Sequence, residues 1–127
     1  MIKQILKVSN KWKVVIYYNV NHNLFYYIKQ ELKQFKIPNS IINRVEAKLK
    51  HNKIKAVTIN NTEQHISFVI FNMHKSKEDY INSIIHESEH VKDAILKAYN
   101  IQNYGEPPAY TIGYLASKML KIIDDVI

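Results

Sequence analysis

The chain has 127 residues, no cysteine, a 46% hydrophobic and 23% charged composition, and a formal net charge of +7. That length suits one domain with a real core and is marginal for two. Without cysteine there are neither disulfides nor thiolate metal ligands, and no apolar run approaches the 18 or so residues of a membrane span. The first residues lack a signal-peptide core, because Lys7, Lys11 and Lys13 interrupt them, so a cytoplasmic protein is the simplest expectation.

In chain order, Ile2 to Val8 and Trp12 to Val20 read as strands around a Ser9-Asn10 turn. Asn21 or Asn23 caps a helix that runs to about Phe35 with Leu24, Ile28 and Leu32 on one face. Pro38 ends it, and Ser40 begins another helix with Ile41, Val45 and Leu49 at helical spacing. Ile54 to Ile59 and His65 to Phe71 form a hairpin around Asn60-Asn61-Thr62-Glu63. Lys77 to Tyr99 contains no Gly or Pro, starts after Ser76 with Asp79 three residues on, and stops at Asn100. After a loop holding Gly105, a last helix spans Pro107 to about Asp125. Strands and helices are grouped rather than strictly alternating. The expected fold is therefore α+β: one domain over residues 1–127 with a small, largely antiparallel sheet packed on helices.

Charge is uneven along the chain. Residues 1–60 carry 12 Lys and Arg against two acids, a net of +10; residues 61–127 carry 6 against 9, a net of −3. A basic half suits nucleic acid or another acidic partner. All the basic residues but Arg44 are lysines, and Ile, Asn and Tyr are abundant too, as an AT-rich coding sequence would produce. Nucleic-acid recognition usually draws on arginine as well.

The chemistry is concentrated in His86-Glu87-Ser88-Glu89-His90, an H-E-x-x-H pattern inside the longest helix. Side chains four apart share a helical face, so both imidazoles can bind one Zn²⁺, and Glu87 is placed to act on water as a general base. With six histidines and seven glutamates, the composition gives only roughly 0.015 chance matches to that motif. Catalytic zinc usually takes three protein ligands. Glu106, 16 positions after His90 across a turn, is the expected third, although an acid there also caps a helix. Asp93 has three open roles: ligand, acceptor for a histidine N–H, or solvated charge. Glu89 points away from the pair, and His74 is a loop histidine that could approach the site. His22, His51 and His65 have no metal-ligand spacing.

His86-Glu87-x-x-His90 with a distal Glu106 resembles the zincin metallopeptidases in their glutamate-liganded form. Glu106-Pro107-Pro108-Ala109-Tyr110, followed by Gly113-Tyr114-Leu115, is similar to small phage and prophage proteins that carry H-E-x-x-H and then a Glu-Pro-x-Ala-Tyr helix. The resemblance covers residues 81–115. It implies His86, His90 and Glu106 as zinc ligands, Glu87 as general base, a peptide or protein substrate, and action in the host cell or from a virion. It also implies a strand beside the active-site helix that holds extended substrate, for which His65 to Phe71 is the natural choice. Two departures stand out: the His90–Glu106 interval is short, and the acid expected one turn after the ligand glutamate is Tyr110. Tyr110 is then either an oxyanion donor or a core residue. Two rival classes remain: a non-enzymatic binding or inhibitory protein with structural or degenerate zinc, and a zinc-dependent nuclease or nucleic-acid module.

Overall fold

The computed structural model describes residues 1–126; Ile127, the last residue of the expected domain, lies outside them. Four strands and five helices follow in the order β1 (Ile2–Val8), β2 (Trp12–Tyr18), α1 (Phe25–Gln34), α2 (Asn39–Lys50), β3 (Ala56–Asn61), β4 (Ile66–Phe71), α3 (Lys77–Ala98), α4 (Glu106–Lys121) and α5 (Ile123–Val126). The fold is α+β. The strands lie side by side as β1-β2-β4-β3. Both hairpins are antiparallel, as expected, but their junction is not: β2 runs parallel to β4, from Lys13 beside Ile66 to Tyr17 beside Ile70. The sheet is therefore mixed. Its two central strands are near-continuous apolar runs buried on both faces, which is how interior strands read.

Local chemistry sets the boundaries. Ser9 and Asn10 both take positive φ, the geometry of a two-residue turn matched to strand twist. Asn19 also turns to positive φ, ending β2 before Val20. The second hairpin turns two residues later than its composition suggests, with His65 at φ 53°. Ser76 caps α3 by accepting a hydrogen bond from the Asp79 amide at 3.1 Å. At the other end Asn100, at φ 54°, lets Ile101 N–H reach the Leu96 carbonyl at 2.8 Å and Asn100 N–H reach that of Lys97, closing the helix with a left-handed residue. The final helix is broken at Ile122 into α4 and α5.

Helices cover both faces of the sheet. α1 and α2 bury Phe25, Ile28, Leu32, Ile42, Val45 and Leu49 against Val15, Tyr17, Phe68 and Ile70. On the opposite face Tyr80, Ile84, Val91 and Ile95 of α3, with Leu115 and Met119 of α4, pack on Val14, Ile16, Tyr18, Val69 and Phe71. α3 also runs beside β3, the strand at one edge of the sheet. No helix among the described residues is long and apolar enough to cross a membrane.

Candidate metal centre on the third helix

The face of α3 turned from the core carries His86 and His90, both exposed. Their Nε2 atoms are 3.2 Å apart, with the rings edge-to-face at a centroid distance of 4.8 Å. Two bare nitrogen lone pairs that close would repel, so either a shared proton or a cation must stand between them. Tetrahedral zinc with Zn–N bonds of about 2.0–2.1 Å separates two nitrogens by about 3.3–3.4 Å. At 3.2 Å the pair stands close to that spacing, which is also the distance of an N–H···N hydrogen bond between the rings.

Glu87 turns the other way, towards β3. It is 4% exposed, and the Thr58 hydroxyl donates to its Oε1 at 2.9 Å. Its Oε2 stands 3.9 Å from His86 Nε2. That is beyond a hydrogen bond, and it is the spacing of a loose ion pair when the imidazole carries a proton. A cleft of about 380 Å³ opens here, lined by Ile54, Lys55 and Ala56 before and within β3 and by Asn82, Ser83, His86 and Glu87 of α3. A carboxylate this buried, with one neutral donor, is costly without a nearby cation.

The remaining sequence expectations fare unequally. Among the described residues, no third His, Asp or Glu joins His86 and His90 in a group able to hold a metal ion. Glu106 is the exposed first residue of α4 and is not brought to the pair. Asp93 is held by Lys92 Nζ at 2.7 Å and by the Asn103 amide at 2.8 Å. Its carboxyl lies below the usual range, chiefly through the Lys92 bond. Lys92 is itself buried and also meets Glu89 at 2.7 Å and Asn103 at 3.0 Å, so this cluster fastens the α3–α4 connection to α3. Tyr110 is 73% exposed and so is not a core residue: α4 presents Leu115 and Met119 to the core instead. The strand expected to receive substrate is also corrected. β4 is paired on both sides and has no free edge, so β3 is the edge strand that flanks the H-E-x-x-H helix.

His74 is committed elsewhere. Nδ1 meets the Asn72 carbonyl and Nε2 the Ser83 hydroxyl, both at 2.7 Å, and the ring stacks on Tyr80 at 4.2 Å. Nδ1–H must donate to the carbonyl, so Nε2 accepts from Ser83. Burial holds the imidazole below its ordinary pKa. His65 stacks on Trp12 and bonds to the Tyr99 hydroxyl at 3.0 Å. Thr58 and Ser83 carry no signal in the sequence: one is a small residue in a modest strand, the other a helix-interior serine.

Compared with protein-family models, with curated proteins and with solved structures, the chain matches none.

Proposed function

We propose that the protein is a zinc-dependent hydrolase that cuts peptide bonds at the cleft between β3 and α3. The observation that carries this reading is the 3.2 Å approach of His86 and His90 Nε2, with the buried Glu87 carboxylate 3.9 Å from His86. His86 and His90 would hold the ion; Glu106, exposed at the start of α4 and apart from the pair, would have to close on it to serve as the third ligand. Zinc, when bound, acts as a Lewis acid that acidifies water towards a pKa of about 7 and polarises a carbonyl. Glu87 takes the proton of the attacking water and delivers it to the departing amide nitrogen. Thr58 holds Oε1, which turns Oε2 towards the cleft. β3 offers its unpaired edge to an extended substrate backbone.

The test is hydrolysis of an unstructured protein such as casein, with and without a chelator, beside the Glu87→Gln variant. Loss of cleavage by about 10²–10⁴-fold in the variant, with zinc retained, is expected of a general base. Wild-type cleavage by that variant, or cleavage indifferent to chelation, removes the role given to Glu87.

One observation favours a second reading, a binding protein whose zinc is structural or whose site is degenerate: Glu106 stands apart from the histidines. The two readings separate at Glu106→Ala. The hydrolase reading expects weaker zinc binding, whereas a site made without Glu106 keeps its affinity.

A further inference from the structure

The two edges of the sheet are defended very differently. β1 exposes Lys3 and Lys7, and α4 is tied across it, with the Tyr114 hydroxyl donating to the Lys7 carbonyl at 3.0 Å and Gln4 donating to the Lys118 carbonyl at 3.1 Å. Charge and a covering helix are the ordinary devices that stop an edge from pairing with another chain. β3, Ala56-Val57-Thr58-Ile59-Asn60-Asn61, has no charged residue and no proline. It lacks the charge that guards β1, although α3 packs beside it.

Recesses lie on both sides of β3. The Thr58 hydroxyl turns to Glu87 of α3, whose carboxylate lines the first cleft, while Thr58 itself also borders the second. Val57 and Ile59 face α2, where a second groove of about 380 Å³ carries Arg44 and Lys48 above an apolar floor that includes Ile41 and Ile54. Among the residues lining the two recesses, Glu87 is the single acid, and it faces the first. Arg44 and Lys48 sit four apart on α2, and among the described residues neither makes an ion pair. A strand added to β3 sends alternate side chains to opposite faces. Every second one would enter the cationic groove.

We propose that this second groove selects acidic side chains: Arg44 and Lys48 receive the carboxylates of an extended peptide along β3, at positions alternating with those presented to His86 and Glu87. The inference rests on the reading of β3 as the substrate strand and adds the substrate's chemistry. A peptide suits the groove better than a nucleic acid. The floor is aliphatic, no aromatic side chain lines it for a base to stack on, and the free edge offers backbone hydrogen bonds that only a polypeptide strand can return in register.

The test uses the Glu87→Gln protein, with chelated wild-type protein in parallel, so that nothing is cut. Alternating Glu-Thr, Gln-Thr and Lys-Thr peptides and a single-stranded RNA are titrated, and binding is read by fluorescence anisotropy and by backbone amide shifts. The Glu-Thr peptide is expected to bind best, to move the amides of residues 54–61 and of Arg44 and Lys48, and to weaken with salt. The R44E/K48E double variant should weaken it by about tenfold and favour the Lys-Thr peptide instead. Equal binding of the Gln-Thr peptide, indifference to R44E/K48E, tighter seating of RNA in the groove, or no peptide binding at all overturns the assignment. A wild-type protein that binds the Glu-Thr peptide on β3 yet takes up no zinc would retain the groove and remove the hydrolase.

Discussion

The two faces of the sheet are built to different rules. Every buried residue of α1 and α2 is apolar, whereas α3 buries Ser83, Glu87, Ser88 and Lys92 among its apolar contacts. Burying polar groups costs free energy unless each is paired. Only part of that cost is recovered: Lys92 meets two carboxylates, Ser83 meets His74, Glu87 has one hydroxyl, and the Ser88 hydroxyl has no partner among the described residues. One face is scaffold. The other concedes stability along the helix that carries the histidine pair, which is the pattern expected where function competes with packing.

Substitutions can break this contrast. The largest effect is expected on the scaffold face: Phe25, fully buried in α1, should cost about 3–5 kcal/mol as Phe25→Ala in chemical denaturation, with the zinc affinity of the folded fraction unchanged. On the α3 face, Glu87→Gln should reverse that relation. Alongside the loss of hydrolysis, its stability should stay level or rise by about 1 kcal/mol, because a buried, thinly paired charge is removed. A fall of about 3 kcal/mol or more would instead mark Glu87 as a structural carboxylate.

A pH series sharpens the same comparison at a single group. Burial keeps the His74 imidazole below its ordinary value of 6.5, so the unfolded chain takes up a proton more readily than the folded one. Stability is then undiminished above 6.5 and falls as the pH drops below it. His74→Gln should flatten that part of the acid limb; an unchanged slope between wild type and variant contradicts the assignment. The smallest effect belongs to Ser88→Ala. Removing an unpartnered hydroxyl from a helix interior should stabilise by about 0.5–1 kcal/mol, seen as a rise in Tm.

Most elements were legible because their signals are local. The Ser9-Asn10 turn, the Ser76 cap, the Asn100 stop and the uninterrupted helical period between them need only neighbours in sequence. What joins the two hairpins does not. The parallel pairing of β2 and β4 depends on a crossover through α1 and α2. The clue was nonetheless present, since Val14-Val15-Ile16-Tyr17-Tyr18 and Ile66-Ser67-Phe68-Val69-Ile70-Phe71 lack the alternation of an edge strand. Read that way, β4 could not have been the strand offered to substrate. At the site, helical spacing was enough to place His86, Glu87 and His90. Spacing could not show that Thr58 would hold Glu87, that Tyr110 would face outward, or that the Lys92 cluster would fasten the connection leading to Glu106, because each depends on how separate elements dock.

The most direct measurement is zinc content of the purified protein by elemental analysis, with affinity by calorimetry, for wild type and for His86→Ala and His90→Ala. The account expects one equivalent of zinc in the wild type at neutral pH and its loss in both variants while the fold is retained by circular dichroism. A wild-type protein that binds no zinc, or variants that bind it as tightly as wild type, would contradict a metal centre on this helix.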